Sequence, residues 1–137
     1  MPDVTSSVEQ GARNDERAAR PSRARVFKEI LAGLSTLPGI LGALLVTPDG
    51  LVITAALPPR SQVEALAALG ATLGRELELG AERLGRGAFR TAFFAGDNGT
   101  LFVGSSLIGF LILPGDKTAN VASVRVALVR ALDRIHQ

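Results

Sequence analysis

The chain has 137 residues, 47% of them apolar, with fifteen basic residues against thirteen acidic ones and a net charge of +2. That length suits one domain whose core forms without metal or disulfide, and the absence of cysteine excludes thiolate metal sites and cysteine nucleophiles. No apolar run reaches the roughly 18 to 20 residues of a membrane span, and the polar start is unlike a secretory signal, so the expectation is a cytoplasmic protein without membrane insertion.

Residues 1 to 21 are polar, charged and free of hydrophobic periodicity, which predicts a flexible tail ahead of one domain over 22–137. Pro21 and Ser22 mark a helix start, with Ser22 as N-cap. Phe27, Ile30, Leu31, Leu34 and Leu37 then recur at helical spacing, and Pro38-Gly39 ends the helix. Ile40 to Thr47 is an apolar strand, and Pro48-Asp49-Gly50 turns it into a second, Leu51 to Leu57, which Pro58-Pro59 stops.

Ser61 to Leu84 is the longest helical segment. A strand follows from Gly87 to Ala95, then the Asn98-Gly99 turn signal, a return strand over Thr100 to Ser105 and a third over Leu107 to Leu113. Pro114-Gly115-Asp116 is expected to break the sheet. Val121, Val124, Leu128, Leu132 and Ile135 share one face of a last helix. The predicted order is α-ββ-α-βββ-α, an α+β fold around a five-stranded antiparallel sheet.

The middle helix says most. Advancing 100° per residue, Leu66, Leu69, Leu73, Leu77 and Leu84 fall within about a quarter of its circumference. Beside them lies a sector of small residues, Val63, Ala67, Gly70, Gly74 and Ala81, with Ala71 at its margin. Together the two sectors span about 200°, whereas a helix covering one sheet needs a stripe of about 100°. Glycine inside a helix costs about 1 kcal/mol relative to alanine, so Gly70, Gly74 and Gly80 need a reason. Either they let the helix sit close on its own sheet, or they admit a second copy of the helix in an isologous dimer. The expectation taken is the dimer, with the leucines facing the chain's own sheet.

The pattern resembles the roadblock/dynein light chain family. The likeness is carried by Leu34, Leu37-Pro38-Gly39-Ile40 and Gly42-Ala43, the Asp49-Gly50 turn, the alanine- and leucine-rich helix, Gly85 and Gly87, Leu101-Phe102-Val103 and Leu111-Ile112-Leu113. It implies a profilin-like sandwich with the first and last helices on one sheet face and the middle helix on the other. It also implies a homodimer through the middle helix and the edge of the third strand. Joined to the small sector, this gives a candidate interface of Val63, Ala67, Gly70, Ala71, Gly74, Ala81, Phe89, Thr91 and Phe93. The third strand suits that role, because it has one charge, Arg90, and no proline. Family members are scaffolds and regulators of Ras-like small GTPases, including bacterial polarity and gliding systems, or dynein light chains. The implied partners are therefore a second copy of the chain and a Ras-like small GTPase. Arginine-heavy, lysine-poor usage suits the bacterial branch.

Motifs for chemistry are incomplete. The one histidine, His136, sits next to the C-terminus, and Gly104-Ser105-Ser106 lacks the second glycine of a nucleophile elbow. In Gly115-Asp116-Lys117-Thr118 the aspartate interrupts a phosphate-binding loop, leaving a turn and helix cap. Arg86 to Phe93 looks like an RNA-binding octamer, but Ala88 and Arg90 stand where stacking aromatics belong. The high pI of 9.9 reflects thirteen arginines mixed with acids, and the small cluster at Arg20, Arg23, Arg25 and Lys28 reads as a solvated helix start. The expectation is a non-enzymatic protein with no cofactor, metal or nucleic acid. The competing reading is a small-molecule sensor, whose polar candidates are Thr47, Thr54, Thr91 and Ser105.

Overall fold

A computed structural model describes residues 22–137. The expected tail over 1–21, Pro21 and Arg20 lie outside the described residues. Helix α1 (Arg23–Ser35) begins where Ser22 Oγ accepts from the Arg25 amide at 3.2 Å, as a serine N-cap does. Arg23 stacks 5.6 Å over the Phe27 ring, and Arg25 pairs with Glu29 at 3.6 Å, so these basic residues serve the helix start.

Strands β1 (Ala43–Val46) and β2 (Val52–Ala56) form the first hairpin, followed by α2 (Val63–Arg83). Gly85, at φ +65, closes α2 with a Schellman motif: Arg86 N–H donates to the Ala81 carbonyl and Gly85 N–H to that of Glu82. Strands β3 (Thr91–Gly96), β4 (Gly99–Ser106) and β5 (Gly109–Gly115) follow, then α3 (Val121–Ile135). The sheet is antiparallel in the order β2-β1-β5-β4-β3, which places β2 and β3 at its edges.

Strand alternation sorts the core into two layers. Leu45, Leu111, Leu113 and Phe102 point to the face covered by α1 and α3, against Phe27, Leu31, Val124, Leu128 and Leu132. Leu44, Val46, Val103, Phe110 and Ile112 point to the α2 face. The expected architecture is therefore the observed one: three helices on a five-stranded sheet, two on one face and one on the other.

Two boundaries differ from the expectation. β5 runs through Pro114 to Gly115 because the proline carbonyl, which accepts from Leu41 N–H, points past the start of β1. The donor that proline lacks therefore faces a place where no ladder bond exists. β4 outruns its expected end at Ser105 and the β4–β5 turn centres on Leu107-Ile108, because Ser106 still pairs with Gly109. Gly109, at φ +150, leaves no room for a side chain: a Cβ there would overlap the Val46 carbonyl oxygen.

Asn120 caps α3, its Oδ1 accepting from Ser123 N–H at 2.9 Å. We expect Asn120→Ala to lower stability by about 1 kcal/mol in chemical unfolding, and an unchanged midpoint would show that this cap is idle.

Candidate functional site

The small-residue sector of α2 is where the expectation from sequence must be corrected. Ala67, Gly70, Ala71 and Gly74 are buried against the protein's own sheet. A Cβ on Gly70 would stand 2.6 Å from Ile112, and one on Gly74 2.6 Å from the Phe110 ring. These four residues are fully occupied inside one subunit and present nothing to a second. The physical reason is volume complementarity: two large side chains two residues apart on β5 fill the space that two glycines one helical turn apart leave open. Of the alternatives weighed, close approach to the chain's own sheet is the one adopted at Gly70 and Gly74.

Val63 and Phe89 are half-buried and pack against the same core, and Ala81 is half-buried on the same sector. Thr91 and Phe93, in contrast, lie on the free edge of β3, where Phe93 is 40% exposed and stacks 5.0 Å from Phe102.

Turning the glycine sector onto the sheet turns the leucine sector sideways. Arg75, on the opposite flank of α2, donates to the Pro48 carbonyl in the β1–β2 turn, so the leucine flank turns the other way, and its first part, Leu66 and Leu69, lines a cleft with Leu41, Leu57 and Pro114. Leu69 is 51% exposed and Leu84 74%, while Leu66, Leu73 and Leu77 are half-buried. Toward β3 the helix covers the sheet only in part. Phe94 and Leu101, directly paired across β3 and β4, lie on the α2 face, with Phe94 exposed and Leu101 half-buried. The unfilled apolar circumference that the pattern implied does exist, but it consists of leucines.

The edge beside that surface is open. Ser105 N–H donates to the Arg90 carbonyl at 2.8 Å, so Arg90, Ala92, Phe94 and Gly96 turn their backbone groups toward β4. By alternation Thr91, Phe93 and Ala95 turn theirs outward. β3 itself holds no charged residue, no proline and no bulge. The opposite edge is different. Pairing of β1 with β2 steps from Leu45↔Thr54 to Val46↔Val52, leaving Ile53 as the extra residue of a bulge. A bulge is a common device for blunting an edge, so β3 is the unprotected one of the two.

The sequence profile of the Roadblock/LC7 domain matches residues 26–112. The chain belongs to the Roadblock/LC7 domain family. An uncharacterized protein of Methanocaldococcus jannaschii is 28% identical over 110 residues, covering 80% of this chain and 96% of the relative. Among solved structures, the gliding protein MglB of Thermus thermophilus aligns with a TM-score of 0.74 at 23% identity, over 85% of this chain and 90% of that one. An MglB structure described as having a tetrameric arrangement aligns with the same TM-score and identity, over 85% and 89%. At such identity the structural likeness establishes the fold.

Among the described residues no side chain that is polar or charged is buried, and no three metal-ligating side chains cluster. Thr47, Thr54, Thr91 and Ser105 are all half-exposed and lie apart, Ser105 donating to Glu78 at 3.1 Å. His136 Nε2 accepts from Leu107 N–H at 3.2 Å, so the histidine ties the end of α3 to the β4–β5 turn.

Asp116 has a structural task as well. It accepts from the Thr118 hydroxyl at 2.5 Å and the Thr118 amide at 2.7 Å, making an Asx turn, while Asn120 and not this loop caps α3. These bonds, the hydroxyl first, hold its carboxyl below the usual value of 3.8. A depressed carboxylate favours folding above its unfolded value, and that contribution fades as pH falls through the folded one. We expect the Asp116 side chain to titrate below 3.8 by NMR, and Thr118→Val to move its midpoint upward. A midpoint unaffected by Thr118→Val would contradict this origin of the shift.

Proposed function

We propose that this Roadblock domain is a non-catalytic homodimeric adaptor that binds a Ras-like small GTPase. The observation that carries the reading is the meeting of an unprotected strand edge with an uncovered apolar shelf. β3 offers the outward backbone groups of Thr91, Phe93 and Ala95, and Phe94 and Leu101 stand beside it on the sheet face that α2 covers only in part. A second copy would extend the sheet antiparallel to β3 with Phe93 nearest the two-fold axis and Thr91 opposite Ala95. The same contact would cover both leucine flanks, each fully buried leucine contributing about 1.5 to 3 kcal/mol. The proposed interface thus keeps Thr91 and Phe93, gains Ala95, Leu69, Leu73 and Phe94, and loses the buried small residues.

Family membership supports the GTPase half of the reading, as does the structural likeness to the gliding protein MglB. An MglB described as tetrameric adds support for self-association. The alternative of a small-molecule sensor needs convergent polar groups in an enclosed cavity, and among the described residues no polar side chain is buried. The direct test is binding to the small GTPases encoded in the same genome, loaded with GDP or GTP and measured by interferometry. We expect one of them to bind with a preference for one nucleotide state. Absence of binding in both states would remove the GTPase from the account.

A further inference from the structure

The two layers on the sheet carry opposite charge. α1 has Arg23, Arg25 and Lys28 against Glu29, and α3 has Arg125, Arg130 and Arg134 against Asp133, so each is net +2. α2 has Arg75 and Arg83 against Glu64, Glu76, Glu78 and Glu82, and is net −2. Partners that approach the α1/α3 face therefore meet a positive surface, whatever sits on the other.

α3 also exposes side chains that water does not explain. Val126 is 52% exposed, Val121 40% and Val129 37%. Valine is a poorer helix former than alanine or glutamate and gains nothing from solvent. At 100° per residue, Ala122, Val126 and Val129 form one outward stripe, turned away from the core residues Val124, Leu128, Leu132 and Ile135. Arg125 and Arg130 stand on the two flanks of this stripe, and Asp133 closes its C-terminal end. A cleft of about 260 Å³ between α3 and β3, lined in part by Phe93, Val121 and Arg125, carries the apolar surface on toward the sheet.

We propose that the outward face of α3 docks an acidic amphipathic helix from a partner protein. The apolar edge of that helix lies along Val126 and Val129, and carboxylates on either side meet Arg125 and Arg130. A second copy of α3 is the wrong occupant, because it would set arginine against arginine. An anionic membrane would satisfy the arginines, but interfacial helices anchor with tryptophan, phenylalanine or leucine, and the outward stripe offers alanine and valine. This contact is made by α3 and uses none of the β3 backbone groups, so its test is separate from that of the pairing of two copies.

The test uses the full chain and a fluorescein-labelled peptide of about 18 residues, with leucine at i, i+3, i+4 and i+7 and glutamate on both flanks. A scrambled peptide of the same composition and vesicles of phosphatidylserine and phosphatidylcholine complete the set. We expect the striped peptide to bind by anisotropy and to weaken as salt is added. Arg125→Glu and Val126→Glu should each weaken it about tenfold, with the sedimentation and melting temperature of the protein unchanged. Failure of the striped peptide to bind, equal binding of the scrambled one, indifference to both substitutions, or capture by vesicles alone would each overturn the proposal. None of those results would bear on whether the chain is a dimer.

Discussion

Gly74→Leu destabilises the domain itself instead of separating folded subunits. A Cβ at position 74 would lie 2.6 to 2.7 Å from three carbons of the Phe110 ring. That ring has nowhere to go: Phe110 is 1% exposed, and its strand is held between β1 and β4 by pairing with Val46 and Ser105. Overpacking of this kind costs about 1 to 3 kcal/mol for modest insertions, and four added carbons on a rigid ring reach the top of that range or pass it. For a domain of this size, about 3 kcal/mol lowers the melting temperature by roughly 10 °C or more. Gly74→Ala is the finer version. Alanine favours the helix by about 1 kcal/mol, so a net loss of stability would isolate the clash with Phe110. A Gly74→Leu protein melting at the wild-type temperature by circular dichroism would show that α2 does not sit on β5 in this way.

Leu69→Asp has the opposite profile: the subunit stays folded and the dimer is lost. Leu69 is 51% exposed within one subunit, and such surface changes usually move stability by about 0.5 kcal/mol or less. In a dimer closed over the leucine flank, the same change buries an unpaired carboxylate in each subunit. An uncompensated buried charge costs about 3 to 5 kcal/mol, which raises the dissociation constant by roughly 100-fold or more. Leu79→Asp is the matching control, since Leu79 is 41% exposed and at 100° per residue lies between Arg75 and Glu76, away from the leucine flank. Size-exclusion chromatography should resolve Leu69→Asp as a folded monomer and leave Leu79→Asp with the wild type. Identical elution of all three would reject the leucine flank as an interface.

Element order and fold were legible because periodicity and turn chemistry agree along the chain. Helical spacing from Phe27 to Leu34, the Asp49-Gly50 turn and Asn98-Gly99 each fix one element, and the alternation of Leu44, Leu45 and Val46 fixes the layers. Which sector of α2 faces the sheet was not legible. Pattern alone assigns the largest residues to the nearest core, but the side that packs is decided by what opposes it. Phe110 and Ile112 are spaced by two on β5, and Gly70 and Gly74 by four on α2, which is the signal that matches glycine to bulk. The bulge at Ile53 was hidden for a similar reason, since it appears only once β2 is paired with β1. Pro114 misled because a proline weakens a ladder only where its missing donor faces a partner strand.

The central claim is that β3 is an open edge that pairs with a second copy of itself, and sedimentation equilibrium of the wild type beside Ala95→Pro tests it most directly. Proline at 95 removes an outward amide and leaves the bonds to β4 intact, so the subunit keeps its fold. The account predicts a wild type at twice the 14.3 kDa chain mass and a folded Ala95→Pro at that mass itself. A monomeric wild type, or an Ala95→Pro protein that remains dimeric, would contradict it.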